Sequence, residues 1–394
     1  MSFAKSITDH SGYVAGNSVN LIHGGKQYFE LMIALIDNTK ETIHLQTYIY
    51  EEDSTGRMVA LALKRAAARQ VKVYLLVDGY ASQRLSFRMI NDLKEAGIEF
   101  RFFNPILRSK FHYVGRRLHH KLLVIDGEQA LVGGINISDH YNDLPNHKAW
   151  FDFALHVKGP IARELCILCW KTWNGYPLKM GLTPCEESKE DSFVDVPGPC
   201  LVRMRRNDWV RRKNQVSRSY LQIFRKAQHE IIIISSYFLP GKRFRNKIRK
   251  AIRRGVRIKI IMASLSDLKI AKQAERHMYP WLFKNRIDVF EYKPSILHAK
   301  MAICDGQWIT LGSYNINNIS AFASIELNLD VRNQSFAQKV KAEIDKIIEQ
   351  DCIQILPEKF KAQYHLFQRL WQDLCYQTIR MLFYLFTFYY RQKE

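Results

Sequence analysis

The chain has 394 residues, and its 59 lysines and arginines against 38 aspartates and glutamates give a formal net charge of +21. A hydrophobic fraction of 47% with 25% charged residues is typical of folded proteins, which excludes a wholly disordered chain, and the length allows two ordinary domains. The basic excess favours a polyanionic partner, either nucleic acid or an anionic membrane, and charge alone does not distinguish the two.

The first segment, MSFAKSITDHSGYVAG, lacks the apolar stretch of a signal peptide, so we expect none. The chain has seven cysteines, and their odd number and wide spacing suggest no disulfide framework. Cys166 and Cys169 form a CxxC motif in an apolar, helix-like run, with no second Cys/His pair at zinc spacing nearby. We therefore predict buried packing roles for both thiols and a reduced, cytosolic setting.

A strand–helix–strand pattern occurs at residues 41–79 and again at residues 229–264. Its strands are near-continuous apolar runs, as expected when both faces of a sheet are covered. In the second helix four apolar residues share one face: Phe244, Ile248, Ala251 and Ile252. Gly255 follows as the expected C-terminal cap. Two β-α-β units predict right-handed crossovers and a mixed or parallel sheet in each half.

The segment Thr183–Cys200 is rich in acidic residues, Pro and Ser, and is the best linker candidate. We predict a first domain at residues 1–185, a linker at 186–199, a second domain of the same structure at 200–355 and a basic-aromatic tail at 356–394. The tail contains MLFYLFTFYY, Met381–Tyr390, which is too short to span a bilayer and is flanked by arginines. It predicts either a helix at the membrane interface or a terminal helix packed on the protein body.

The most informative pattern is a repeated cassette. LHHKLLVIDGEQALVGGIN, Leu118–Asn136, aligns without gaps to the end of ILHAKMAICDGQWITLGSYN, Ile296–Asn315. The matched positions are His119 with His298, Lys121 with Lys300, Asp126 with Asp305, Gly133–Gly134 with Gly312–Ser313, and Asn136 with Asn315. A histidine and a lysine two residues apart in an extended chain point to the same side, and glycine lets backbone approach a ligand closely. Each cassette therefore predicts one half of a phosphate-binding clamp.

The pattern HxKxxxxD, followed after six residues by G[GS]xN, resembles the signature of the phospholipase D superfamily, here in two complete copies. The resemblance implies an α/β fold of two tandem similar domains, each an α/β/α sandwich with a mixed sheet. The domains would be related by a pseudo-twofold axis, with the active site at their interface. One histidine would attack phosphorus to form a phosphohistidine, and the other would protonate the leaving alcohol. No metal or other cofactor is implied.

The resemblance also implies which residues form the site. The catalytic residues would be His119, Lys121, Asp126, His298, Lys300 and Asp305, and the phosphate-binding or supporting residues would be Asn136, Asn315, Gly134, Ser313, Glu326 and Asp152. Glu326 and Asp152 are candidates for the additional carboxylate with which this family holds a catalytic histidine, although the loop before Asp152 is longer. We expect Asp126 and Asp305 to be structural or supporting groups rather than proton carriers.

A finer resemblance is to bacterial cardiolipin synthases of the short type, which lack an N-terminal pair of membrane spans. It extends from about Asn20 to Gln350 and includes YFLPGKRFRNKIRKAIRRGVRIKII and LHAKMAICDGQWITLGSYNIN. It implies transfer of a phosphatidyl group from one phosphatidylglycerol to another with release of glycerol. His119 would be the nucleophile and His298 the acid, although the near symmetry of the site leaves their order open. The implied setting is the cytoplasmic side of the cell membrane, peripheral or interfacially anchored, with no obligate protein partner.

Two other functions stay open at this point. Water in place of the acceptor alcohol would make the protein a phospholipase D-type hydrolase. RMRRNDWVRRK interleaves cations with an aromatic residue and would suit a nuclease, with nucleic acid as the less favoured partner. Eight of the thirteen residues in Lys242–Arg254 are basic, which fits an anionic lipid surface or a solvated helix face. The segment RFFNPILRSKFHYVGRR fits a lip that enters the membrane interface or a basic loop beside the substrate.

Overall fold

The computed structural model describes residues 12–105, 116–175, 185, 199–317, 320, 324–362 and 365–391. The strands are β1 (Val14–His23), β2 (Thr42–Thr47), β3 (Lys72–Asp78), β4 (Glu99–Phe103), β5 (Arg117–Leu118), β6 (Lys121–Ile125), β7 (Gln129–Gly133), β8 (Phe153–Lys158), β9 (Cys200–Asp208), β10 (Lys213–Asn214), β11 (Glu230–Ser235), β12 (Arg257–Ala263), β13 (Asp288–Tyr292), β14 (Lys300–Cys304), β15 (Trp308–Gly312), β16 (Ser324–Arg332) and β17 (Cys352–Gln354). The helices are α1 (Lys26–Asp37), α2 (Ser54–Ala68), α3 (Phe87–Glu95), α4 (Pro160–Asn174), α5 (Gln215–Lys226), α6 (Lys242–Arg253), α7 (Lys269–Arg276), α8 (Tyr279–Lys284), α9 (Gln334–Asp351), α10 (Pro357–Ala362) and α11 (Leu366–Arg391).

The two halves build sheets with the same strand order. The first sheet runs β4-β3-β2-β6-β7-β8-β1, and the second runs β13-β12-β11-β14-β15-β16-β9. In both, the first three strands are parallel and the other pairings are antiparallel. The sheets join where β1 also pairs with β9. The predicted duplication, with a mixed sheet in each half, is confirmed.

Three apolar cores arrange these elements in layers. One core lies between the first sheet and α1, α2 and α3, and a second lies between the second sheet and α5, α6 and α8. The third and largest core lies between the two sheets and includes α4 and α9. Each sheet therefore has helices on both faces, which explains why β2 and β11 are apolar along their whole length. Gly255, with φ +89°, follows the C-terminal cap residue Arg254 of α6 and so ends the helix one position beyond the predicted cap.

Two short pairings connect the halves at the inner edges of the sheets. β5, which leads into His119, runs parallel to the start of β16, and the His119 N–H donates to the Ile325 carbonyl at 3.0 Å. In the other direction Leu297 bridges Phe151, and the His298 N–H donates to the Phe151 carbonyl at 2.7 Å. Each histidine segment is thus held by the backbone of the opposite half.

The cysteine prediction is wrong at one position. Cys166 forms a disulfide with Cys185, with 6.1 Å between their Cα atoms, whereas Cys169 is a free, buried packing residue as expected. Spacing along a long chain carries no information on which distant cysteine the fold brings close, so the sequence could not predict this pair.

Parts of three predicted segments lie outside the described residues: 186–198 of the linker, 106–115 of the basic-aromatic lip, and 363–364 and 392–394 of the tail. In the tail, α11 packs against α7 through Cys375 and Ile379. In the described part of the chain, no helix combines the length and the apolar character needed to cross a membrane.

Candidate active site

His119 lies just beyond β5 and is held by a carboxylate of the other half. Its Nδ1 is 2.9 Å from Oε2 of Glu326, a residue of β16 with no solvent exposure. The Tyr48 ring contacts the imidazole edge to face at 4.8 Å. A carboxylate on Nδ1 fixes the tautomer, so the reacting nitrogen of His119 is Nε2. Among the described residues no hydrogen-bond partner occupies that nitrogen.

His298 is held in the opposite direction by a carboxylate of the first half, and Nζ of Lys300 also lies 2.9 Å from its Nδ1. Its Nδ1 is 2.6 Å from Oδ2 of Asp152, which belongs to the first half and directly precedes β8. Its other ring nitrogen, Nε2, is 3.3 Å from the hydroxyl of Tyr141. The two histidines therefore differ at the atom that would meet a substrate.

The exchange of carboxylates follows from the backbone pairings between the halves. Asp152 follows Phe151, the residue whose carbonyl accepts from the His298 N–H, and Glu326 follows Ile325, which accepts from the His119 N–H. Asp152 lies two residues before Ala154, which pairs with Gly133 at the end of β7. Glu326 likewise lies two residues before Asn328, which pairs with Gly312 at the end of β15. The two half-sites are thus equivalent in register.

Two buried lysines lie beneath the histidines. Nζ of Lys121 donates to the His119 carbonyl at 2.6 Å, and Nζ of Lys300 donates to the Ser236 hydroxyl at 3.1 Å and to the His298 carbonyl. Burial lowers the pKa of Lys121 to about 7 and that of Lys300 to about 8. An anion bound beside them would favour their charged forms, because an opposite charge stabilises a buried cation. The cluster therefore has the chemistry of a phosphate site.

The two histidines and the two carboxylates that hold them differ in the direction and extent of their pKa shifts. Burial raises the pKa of Asp152 to about 7, against the pull of Lys300. Burial acts on Glu326 in the same direction, but His119 and the hydroxyls of two serines overcome it, so its pKa is lowered. The pKa of His298 falls well below its usual value through burial and the charge of Lys300, whereas that of His119 is lowered by burial and partly restored by Glu326. Near neutral pH Glu326 is therefore ionised to a greater extent than Asp152.

The predicted asparagines differ in their partners. Asn136 accepts from the Ile49 N–H at 3.1 Å and donates to the Tyr141 hydroxyl at 2.8 Å. Asn315, its counterpart, is 6% exposed and its Oδ1 has no hydrogen-bond partner among the described residues. Because Asn136 already donates to the phenol oxygen, the Tyr141 proton is free to point to Nε2 of His298.

The small residues of the two cassettes fit their carboxylates. A Cβ on Gly134 would lie 2.4 Å from Oδ2 of Asp152, so only glycine leaves room for that carboxylate. In the second half Ser313 donates instead to Oε2 of Glu326, whose longer side chain is also bound by Ser324. Gly134 and Ser313 occupy matching positions in the two cassettes, but Gly134 leaves space for a carboxylate whereas Ser313 donates a hydrogen bond to one.

The structure does not bring Asp126 and Asp305 to the histidines. Each directly follows the strand that begins at its lysine, and five residues of extended chain separate it from that lysine by about 17 Å. Asp126 accepts from the N–H groups of Lys40, Glu41 and Thr42. Asp305 accepts from Gln228, His229 and Glu230 in the same way. Both carboxylates thus fix the start of β2 and β11, which is the structural role expected for them, and they lie too far from the histidines to be catalytic.

Sequence reasoning missed two supporting residues, Tyr141 and Asp78. Tyr141 follows Asn136 by five residues, and its counterpart Ser320 gives no hint of a phenol at this place. Asp78, at the end of β3, accepts from the Leu118 N–H at 2.8 Å and so fixes β5, which leads into His119. Its counterpart is Ala263, so the repeat could not identify it. An aspartate at the carboxyl end of a parallel strand was the available signal.

Among the described residues, no group of three or more His, Cys, Asp or Glu side chains is arranged to hold a metal ion. The arrangement that is present provides one ring nitrogen able to attack, a second able to exchange a proton, and two lysines for phosphoryl oxygens. That combination suits nucleophilic substitution at a phosphodiester.

A protein family described as cardiolipin synthase, PLD-like domain, matches residues 32–149 and again residues 220–348, so each match contains one cassette. Cardiolipin synthase B of Escherichia coli (strain K12) is 34% identical over 342 residues, which are 86% of this chain and 82% of that protein. Cardiolipin synthase of Geobacillus sp. (strain WCH70) is 27% identical over 351 residues, 89% of this chain and 68% of that protein. The crystal structure of phosphatidylserine synthase from Haemophilus influenzae Rd KW20 has the same fold, with a TM-score of 0.71, 16% identity and 94% of each chain covered.

Proposed function

The chain belongs to the cardiolipin synthase family of phospholipase D-like enzymes and is a phospholipid phosphatidyltransferase. From that premise we propose that it makes cardiolipin from two molecules of phosphatidylglycerol and releases glycerol. The observation that carries the proposal is the pair of histidines, each held by a carboxylate of the opposite half above two buried lysines. The division into domains at residues 1–185 and 200–355 belongs to the same proposal, because each supplies one histidine and one carboxylate.

In the first step His119 is the nucleophile. Its Nδ1–H donates to the ionised Glu326, which leaves the Nε2 lone pair to attack phosphorus. The bond from phosphorus to the glycerol oxygen breaks, and the departing oxygen takes a proton from Nε2 of His298. Lys121, Lys300 and the two cassette asparagines stabilise the phosphoryl oxygens. The products are glycerol and a phosphatidyl-histidine.

In the second step the headgroup hydroxyl of another phosphatidylglycerol attacks the phosphatidyl-histidine. His298, now neutral, takes the proton of that hydroxyl, and the bond from Nε2 of His119 to phosphorus breaks. Asp152 supports both proton transfers, since its contact with Nδ1 stabilises the charged ring. The bound phosphodiester adds negative charge next to His298 and offsets the burial that favours its neutral form.

The substrate is an anionic phospholipid, so we propose that the enzyme works at a membrane surface, on the cytoplasmic side of the cell membrane. The net charge of +21 supports an anionic surface. The alternatives use the same two histidines: water as acceptor would give phosphatidic acid, and a nucleic-acid backbone would replace the lipid.

The test is turnover of phosphatidylglycerol, dispersed in detergent, by the wild type and by His119→Ala, with products separated by mass. We expect cardiolipin and free glycerol from the wild type and neither from the variant. Phosphatidic acid in place of cardiolipin would make the protein a hydrolase. Absence of any lipid product, with cleavage of single-stranded DNA, would replace the proposal by a nuclease.

A further inference from the structure

The C-terminal helix α11 has a packed sector and a separate exposed apolar sector. Cys375 and Ile379 are buried against Ala274 and Met278, in the region of α7. Besides Leu366 at its start (69% exposed), α11 exposes six apolar residues: Phe367 (86%), Leu370 (59%), Trp371 (52%), Leu374 (57%), Met381 (58%) and Leu382 (42%). At the angular step of an α-helix they fall within an arc of about 120°, so they form one continuous stripe, the α11 stripe.

Further apolar side chains are exposed on the element that α11 packs against. Leu265 and Leu268 in the loop before α7, and Ile270 at its start, are 58%, 57% and 51% exposed. Single exposed apolar residues are ordinary, but a contiguous apolar surface on a folded chain marks an interaction site.

Cations border this apolar surface. Helix α6 exposes Lys242, Arg243, Arg249, Lys250 and Arg253, and within the described ranges none of them forms an ion pair. The start of α6 lies close to α7 and α11, because Leu239, three residues before Lys242, is buried in one cluster with Ala274 of α7 and Cys375 of α11. His277, next to α7, stacks on Tyr376 of α11 at 4.5 Å.

The same surface borders the active site on the His298 side. Asp267, between Leu265 and Leu268, is hydrogen-bonded to the Tyr237 hydroxyl. Ser236, next to Tyr237 in the chain, accepts from Nζ of Lys300 at 3.1 Å, which places the loop near the site. A surface with apolar and cationic parts next to the site is suited to a partner that is apolar inside and anionic outside.

We propose that the α11 stripe, the exposed apolar residues of the α7 loop and the cationic face of α6 together form the docking surface for an anionic lipid bilayer. Docking there places the His298 side of the active site at the level of the lipid headgroups. The inference rests on the proposed function only for the choice of phosphatidylglycerol as the anionic lipid.

The test measures binding of the full chain to vesicles of phosphatidylcholine with and without phosphatidylglycerol, by co-sedimentation. We expect binding to the mixed vesicles and at least a tenfold loss of it in Phe367→Glu/Leu370→Glu/Leu374→Glu. The matched control is Leu61→Glu/Phe87→Glu, two apolar residues of the first half that are 57% and 78% exposed, and it should bind as the wild type does. Thermal unfolding of each variant shows whether it is folded.

A second variant tests the cationic part without touching α11. Lys242→Glu/Arg243→Glu/Lys250→Glu should weaken binding to the anionic vesicles at least tenfold and flatten its dependence on salt. Because binding is measured without turnover, an enzyme that makes no cardiolipin but still docks refutes only the proposed function.

Three results would overturn the docking proposal. The first is wild-type binding of the α11 variant to anionic vesicles. The second is equal loss of binding in the matched control. The third is a wild-type dimer that dissociates in the α11 variant while vesicle binding persists, since the stripe would then cover a second copy of the chain.

Discussion

The two half-sites have the same backbone and different side chains around their histidines. His119 has an ionised glutamate on Nδ1 and an unoccupied Nε2 among the described residues, while His298 has an aspartate of raised pKa on Nδ1 and a phenol at Nε2. Equivalent register therefore does not mean equivalent chemistry. The difference supports the assignment of the attacking role to His119 and the proton-exchanging role to His298.

The sharpest test of that difference replaces each histidine by alanine. His119→Ala should lower turnover by about 10⁴-fold or more with every leaving group, because the nucleophile is lost. His298→Ala should lose about 10²–10⁴-fold with phosphatidylglycerol, yet recover most of its rate of intermediate formation with a nitrophenyl leaving group, which needs no proton. The rates of alcohol release are the measurement. Recovery by His119→Ala instead would reverse the assignment.

The carboxylates should differ in the same sense. Glu326→Gln removes an ionised partner of His119 and should lower kcat by about 10³-fold. Asp152→Asn should cost only about tenfold near pH 7, because a carboxyl with a pKa of about 7 is already protonated in about half of the molecules at that pH. Steady-state kinetics of the two amide variants, which keep the shape of each side chain, measure this. Equal losses would mean that the two half-sites are chemically alike.

Tyr141→Phe tests the contact that only His298 has. We expect kcat with phosphatidylglycerol to fall about tenfold and the loss to vanish with a nitrophenyl leaving group, because the hydroxyl acts through the proton on Nε2. Ser320→Ala changes the corresponding position of the other half and should leave that dependence on the leaving group as it is in the wild type. A Tyr141→Phe loss that is the same for both leaving groups would indicate a packing role.

The smallest expected effect is on stability, and its sign differs between the carboxylates. The raised pKa of Asp152 stabilises the folded protein, and this contribution to the free energy of unfolding is complete below about pH 4 and lost as the pH rises through about 7. Relative to Asp152→Asn, the wild-type free energy of unfolding should therefore fall over that interval, by at most about 4 kcal/mol. The lowered pKa of Glu326 gives the opposite slope relative to Glu326→Gln, with stability lost as the pH falls below its usual range. Urea unfolding from pH 2.5 to 7.5 measures both slopes, that of Glu326 below about pH 4.5 and that of Asp152 above about pH 4, and slopes of equal sign would contradict the prediction.

Much of the site was predictable because the repeat aligns two chemically rich segments. The positions of His119, Lys121, His298 and Lys300 follow from that alignment, and so does the duplicated sheet. The exchange of Asp152 and Glu326 between halves did not follow, since it depends on backbone pairings that no local pattern encodes. Tyr141 and Asp78 were missed because each has an unlike residue at the matching position, and an argument from a repeat finds only what is repeated.

The exchange of carboxylates has a consequence for how such a chain can diverge. A half alone would hold a histidine without its carboxylate and a carboxylate without its histidine, so neither half is a working unit. A substitution that alters the acid strength of Glu326 acts on the histidine of the other half, and a change at Asp152 acts in the reverse direction. The two copies of the motif are therefore expected to evolve together, because the substitutions that one half tolerates depend on the sequence of the other half.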